Sequence, residues 1–268
     1  MPALIAERSV AIGASLSEPI LKIEGVYKRF AGSDGEIEAL RAVDLAVAPG
    51  EFVCIIGASG CGKSTLLRLV GGFDRPSEGS ILMRGRPVAG PGPDRGMVFQ
   101  DYGLFPWLTV RRNVEFGPAA RRLPRAEISA VGERFIEMIG LTRFAGAYPH
   151  ELSGGMKQRV AIARVLANEA SVVLMDEPFG ALDAMTRERL QIELLSIWEA
   201  AGLTVLFITH AIEEAILLAD RIVVMSPNPG RIAAIHDIAL PRPRDIASPA
   251  FNALRRELGG LLHGKDEP

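Results

Sequence analysis

Within FVCIIGASGCGKSTL, residues 52–66, Gly57, Gly62, Lys63 and Ser64 fill G-x-x-x-x-G-K-S between an apolar run of strand length and a segment of helical pattern. These residue types can cradle a phosphate chain. Glycines let backbone amides wrap an anion without Cβ obstruction, the helix start adds partial positive charge, and Lys63 adds a full one. Ser64 would then coordinate Mg²⁺ on a triphosphate.

A second group of reactive residues closes apolar runs elsewhere. Residues 172–175 are entirely apolar and end in Asp176-Glu177, the pattern of a central parallel strand that delivers acids at its C-terminal end. Asp176 suits Mg²⁺, directly or through water, and Glu177 suits a general base that polarises a water at the γ-phosphate. The run 204–209 ends in His210, either a hydrogen-bonded structural residue or a group at the sheet edge where ligands bind. Gln100 closes the strand expected at 95–99; it is either a turn residue or a group that reaches Mg²⁺ or the attacking water. Ser153-Gly154-Gly155 opens a helix and reads as an ordinary N-cap or as an anion site. Phe30, near the glycine turn, is a packing residue or a stacking face for adenine.

The elements that must position these groups follow from periodicity. Strands are expected at 21–26 and 39–47 around an AGSDGE loop, at 79–83 and 95–99, and at 221–225 and 231–236 around SPNPG. A helix over 63–69 is stopped by Gly71-Gly72, and Leu190, Leu194, Ile197 and Trp198 mark an amphipathic one. From Asp101 the texture becomes turn-rich and aromatic. Ile128, Val131, Phe135, Met138 and Ile139 then recur at helical spacing, so a helical insertion is expected to about 148. Phe105 and Trp107 either plug that insertion onto the main domain or line a docking surface. Residues 1–19 read as a loose leader, 248–262 as one helix, and the last six residues as a frayed polar end.

Bulk properties narrow the class. With 268 residues, 48% of them hydrophobic, the chain can bury a sizeable core as one large domain or a domain carrying a subdomain. Thirty Lys and Arg against 32 Asp and Glu leave no basic field for nucleic acid. Mean hydropathy is +0.20, yet no apolar stretch approaches the roughly 20 residues that span a bilayer. A cleaved signal is not expected, since Glu7 and Arg8 interrupt the apolar N-terminus. Cys54 and Cys61 sit where a bridge would distort both the strand and the turn, which fits a reducing cytoplasm.

Taken in order, these pieces resemble the ATP-binding cassette of ABC transporters over about residues 20–236. The loop 57–64 matches the Walker A motif, Gln100 the Q-loop, LSGGMKQ at 152–158 the signature, 172–176 the Walker B strand, Glu177 the catalytic glutamate, Asp183 the D-loop and His210 the switch histidine. Met156 stands where the signature usually has glutamine, and Phe30 where the adenine-stacking residue is more often tyrosine.

The resemblance implies an α/β fold: a P-loop NTPase (RecA-like) core with a parallel-sheet centre, an antiparallel β edge and a helical subdomain at about 101–155. The domain would run over 20–240, with a helical tail at 241–268 and no appended regulatory β-domain. ATP and Mg²⁺ are the implied cofactors. Lys63, Gln100, Glu177 and His210 would be catalytic, and Ser64, Gln100 and Asp176 would hold the metal. Phe30, Gly57, Ala58, Ser59, Gly60, Cys61, Gly62, Lys63, Ser64, Thr65, Ser153, Gly154, Gly155 and Asp183 would contact nucleotide. Two copies would bind head to tail, each covering the other's ATP with Ser153, Gly154 and Gly155. Separate membrane permease subunits would dock near Gln100–Trp107 on the cytoplasmic face of the membrane, with a solute-binding protein engaged indirectly and no nucleic acid. LFPWLTV, MSPNPGRI and LPRPRD further resemble importer ATPases for nitrate, aliphatic sulfonates and taurine. A soluble cassette acting as a clamp on nucleic acid or the ribosome is the competing reading; no second cassette, coiled-coil insertion or basic surface favours it.

Overall fold

The computed structural model describes residues 18–32, 35–99, 101–180 and 182–263. In chain order its elements are β1 (Leu21–Gly32), β2 (Gly35–Val47), β3 (Phe52–Gly57), α1 (Lys63–Gly71), β4 (Glu78–Met83), β5 (Arg86–Pro87), β6 (Arg95–Val98), α2 (Val110–Ala120), α3 (Arg125–Met138), α4 (Gly154–Ala167), β7 (Val172–Asp176), α5 (Ala184–Ala201), β8 (Thr204–Ile208), α6 (Ile212–Leu218), β9 (Arg221–Ser226), β10 (Arg231–Asp237) and α7 (Pro249–His263).

Two sheets result. The smaller is antiparallel, ordered β2-β1-β4-β5. The larger is ordered β10-β9-β3-β8-β7-β6, with β9 to β6 parallel and β10 antiparallel at the edge. The fully buried strands explain the near-continuous apolar runs, because a parallel sheet covered on both faces has no polar side to show. On β3, Phe52, Cys54 and Ile56 point into one apolar cluster, and Val53 and Ile55 into another that includes α1 and the small sheet. β8 divides the same way, with Val205 and Phe207 on one side and Leu206 and Ile208 on the other.

Two segments differ from the sequence expectation. First, β1 and β2 extend well into the AGSDGE stretch, pairing out to Gly32↔Gly35, so Phe30 lies within β1 opposite Ile37 and not in a loop. Second, the turn-rich reading after Asp101 missed α2. Its start is capped by Thr109, whose Oγ1 accepts from the Arg112 amide at 3.3 Å, and Val110 and Val114 bury one face. The helix expected over 248–262 is α7, and its Phe251 and Leu258 are fully buried in the cluster that holds Phe52. The segment between β10 and α7 is anchored by Arg242, which donates to Asp220 at 2.7 Å and lies 4.7 Å over the Trp198 ring, and by Arg244, which donates to the Ala219 carbonyl at 2.6 Å. A guanidinium at the C-terminal end of α6 meets the carbonyls that helix leaves unpaired. Residues 1–17 and 264–268, which hold the expected leader and frayed end, lie outside the described residues.

Candidate functional site

Strand order brings the reactive residues together. β8 lies between β3 and β7, with Ile55 and Asp176 both level with Ile208, so the C-terminal ends of three neighbouring strands open on one place. Two backbone hydrogen bonds bind these ends: Glu177 N to Ile208 O at 3.0 Å and Thr209 N to Ile55 O at 3.2 Å.

After β3 the chain turns through exposed Ala58, Ser59 and Gly60 to buried Cys61 and then Gly62, the N-cap of α1. Gly62 has φ +90°, and a Cβ there would sit 2.6 Å from Leu40 Cδ2 and 3.0 Å from the Ala39 carbonyl. Only glycine lets β2 back the loop this closely. The start of α1 carries no side-chain cap, which leaves the amides of Lys63, Ser64 and Thr65 for a ligand. The Lys63 ammonium, 7% exposed, donates to the carbonyls of Gly57 at 2.8 Å and Ala58 at 3.1 Å and so is held inside the loop. Both cysteines are free thiols, and burial pushes both up from the usual thiol range. Both stay protonated and inert.

Ser64 Oγ donates to Asp176 Oδ1 at 3.1 Å, which joins the loop to β7. Burial raises the Asp176 carboxyl, Ser64 draws it back down, and the Glu177 charge raises it further. Glu177 has φ +45°, a left-handed conformation costly for a residue with a Cβ. The strain turns its carboxylate away from the strand line, and Oε2 stands 3.4 Å from His210 Nδ1. His210 is the more exposed partner, with 66% of its side chain accessible against 30% for Glu177.

Other expected residues are arranged differently. Ser153 caps α4, its Oγ accepting from the Met156 amide at 3.4 Å. Gly154 packs beside Leu182 and the Tyr102 hydroxyl, and Gly155 against Leu190 and Thr186. None of the three hydrogen-bonds to the glycine loop or to Asp176 within the chain. Asp183 caps α5 by accepting the Thr186 amide at 3.0 Å, and that bond holds its carboxyl below the usual range. Phe30 is 41% exposed with the Lys28 ammonium 4.7 Å over its ring. Gln100 lies outside the described residues.

Sequence reasoning missed two buried polar residues. Asn113 of α2, fully buried, accepts the Phe105 amide at 2.9 Å and donates to the Leu108 carbonyl at 3.0 Å, which fixes the turn that presents Trp107, 69% exposed. Glu214 of α6, 6% exposed, lies behind His210 and accepts from Gln191 Nε2 at 2.9 Å. Pattern alone gave only a weak hint of either: an asparagine inside a helix and a second acid beside Glu213 both look like solvent-facing residues.

Comparison with known proteins agrees with this arrangement. The family model described as ABC transporter matches residues 40–180. An uncharacterized ABC transporter ATP-binding protein of Methanocaldococcus jannaschii is 50% identical over 92% of each chain. A nitrate import ATP-binding protein of Synechocystis is 46% identical over 92% of this chain and 96% of its own. Among solved structures, a dimeric ATP-binding cassette in a post-hydrolysis state with ADP and Pi aligns at a TM-score of 0.71 and 34% identity, covering 82% of this chain and 99% of that one. A glycine loop, a strand-end acid pair and a histidine on three adjacent strands, in a chain this similar to cassettes, make the protein a member of the ABC transporter family, an ATP-binding ATPase of the cassette type.

Proposed function

We propose that this chain is the energy-coupling subunit of an importer for a small anionic or zwitterionic solute of the nitrate, aliphatic sulfonate or taurine class, and that it hydrolyses ATP between two copies of itself to drive a separate permease. What supports the chemistry is one observation: the Ser64–Asp176 hydrogen bond and the Glu177–His210 contact lie at the ends of β7, β3 and β8, beside a glycine loop whose amides carry no cap. Mg²⁺ fits here as an ion brought with the nucleotide. Ser64 and Asp176 offer two oxygen donors, as a hard cation requires, and no cluster of three or more His, Cys, Asp or Glu able to hold a metal occurs among the described residues. Bound there, it would neutralise phosphate charge.

The chain's own residues do the rest. The loop amides and Lys63 hold the phosphates, with Lys63 exchanging the Gly57 and Ala58 carbonyls for phosphate oxygens. Glu177 accepts a proton from the attacking water, and His210 holds that carboxylate in place. Phe30 offers its face to the adenine, and Gln100 reaches toward the metal and water. Ser153, Gly154 and Gly155, at the N-terminus of α4 and unengaged with the loop of their own chain, cap the ATP of a second copy, with Asp183 beside them. Closure then depends on the γ-phosphate, and hydrolysis releases it.

The nitrate-import relative supports the importer assignment. Phe105 and Trp107, with ring centroids 5.7 Å apart and Phe105 4.5 Å from Phe116, form an aromatic patch at the edge of the α2–α3 subdomain, suited to a permease. The likeness to the nitrate import ATP-binding protein supports a peripheral place at the cytoplasmic face of the membrane; no described helix is long and apolar enough to cross one. The deciding experiment is single-turnover hydrolysis by Glu177→Gln: ATP should still bind and a dimer accumulate, with turnover lost. Turnover at the parental rate would remove Glu177 as the base.

A further inference from the structure

Beside His210 lies a small chamber whose lining includes no residue of the glycine loop. A cavity of about 20 Å³, room for one water molecule, is lined by Glu177, Phe179, Arg187, Thr209, His210 and Glu214. Three of its neighbours are polar side chains withdrawn from solvent: Thr209 is 2% exposed, Glu214 6% and Gln191 7%. Buried polar groups persist where each is satisfied, and here Gln191 and Glu214 satisfy each other while Thr209 binds a backbone amide.

Two bonds hold these groups. Gln191 Nε2 of α5 donates to Glu214 Oε1 at 2.9 Å. The Thr209 hydroxyl, which lines the same cavity as that carboxylate, accepts from the Ala211 amide at 3.0 Å. His210 thus sits between a residue whose side chain shares the cavity wall with Glu214 and a residue whose amide is fixed by that side chain. On the far side, Arg187 of α5 donates to the Leu182 carbonyl at 2.9 Å, one residue before Asp183. Charged groups around Glu214 are Arg187 from α5, with His210 and Glu177 across the cavity. Its neighbour Glu213 is turned to Arg255 of α7 at 2.5 Å. Burial raises the Glu214 carboxyl, so the carboxylate is retained at a cost.

We propose that Glu214 is a positioning residue for hydrolysis: through the cavity wall it shares with Thr209 it fixes the backbone that carries His210, and through Gln191 it keeps α5 in register with that backbone, so that His210 stays within reach of Glu177. The inference rests on the proposed role of His210 and adds a residue that never touches nucleotide. It acts on the rate of the chemical step and not on ATP capture, because the glycine loop lies on other elements.

The test is a double-mutant cycle on steady-state ATP hydrolysis by the purified full chain. Glu214→Ala should lower kcat about tenfold while KM for ATP stays within about twofold. In a His210→Ala background the same substitution should cost nothing further, since its route to the reaction is already gone. Glu214→Gln keeps an acceptor for Gln191 and should retain most of kcat. Thr209→Val, which preserves shape and deletes the hydroxyl, should reproduce the tenfold loss even if Glu214→Ala does not fold. Losses that multiply with His210→Ala, or a Thr209→Val enzyme at parental kcat, would overturn the inference while leaving the reading of His210 intact. Parental kcat in His210→Ala alone would overturn both.

Discussion

Glu177 is held in a backbone conformation that side chains rarely take, and its carboxylate meets an exposed histidine in place of a structural cation. A residue held there at a strand end beside a histidine is a candidate for chemistry. We expect Glu177→Gln to lower turnover by about 10² to 10⁴, the usual share of a general base, in a single-turnover assay. Lys63→Ala removes a charge-assisted bond to phosphate worth about 1.5–3 kcal/mol and should weaken ATP binding by about one to two orders of magnitude in a binding isotherm. Glu214 carries a pH signature. Burial lifts its folded pKa above the unfolded value, so ionisation costs stability above the carboxylate range. Glu214→Gln should melt higher than the parent at neutral pH, and that advantage should shrink as pH falls through the folded pKa and vanish below the unfolded one.

At the level of elements, the legible parts were those in which one physical demand dominates. β3, β7 and β8 are buried on both faces, so their apolar runs and the polar residues that end them stood out in the sequence. α2 did not, because its stripe is short, Pro118 interrupts it, and its decisive residue is a buried asparagine whose partners are backbone groups of a neighbouring turn. Glu214 was invisible for a similar reason: its partner Gln191 comes from another element, and no periodicity announces a contact across 23 residues. The reach of β1 was underestimated because glycine and aspartate suggested a loop where strand pairing overrides local preference. Thr109→Ala should cost about 1 kcal/mol through loss of the α2 cap, read as a shifted denaturation midpoint. Phe251→Ala should cost about 3–5 kcal/mol, because α7 is part of the core.

For the whole molecule, the open question is how hydrolysis is passed on. Trp107 is exposed, and the turn that carries it is fixed by Asn113, so a partner docked there would meet a set surface. Replacing Phe105 and Trp107 with alanine should leave the cassette's own ATP hydrolysis in place and lose co-purification with a permease. The opposite end of the chain bears on the reaction too. Arg244 grips the last carbonyls of α6, and α6 begins two residues after His210, so only one short helix separates the C-terminal strap from that histidine. Arg244→Ala should therefore slow the machine before it starves it of fuel: nucleotide would still be captured, while His210 would drift from the Glu177 carboxylate, read as a lower kcat at unchanged ATP affinity.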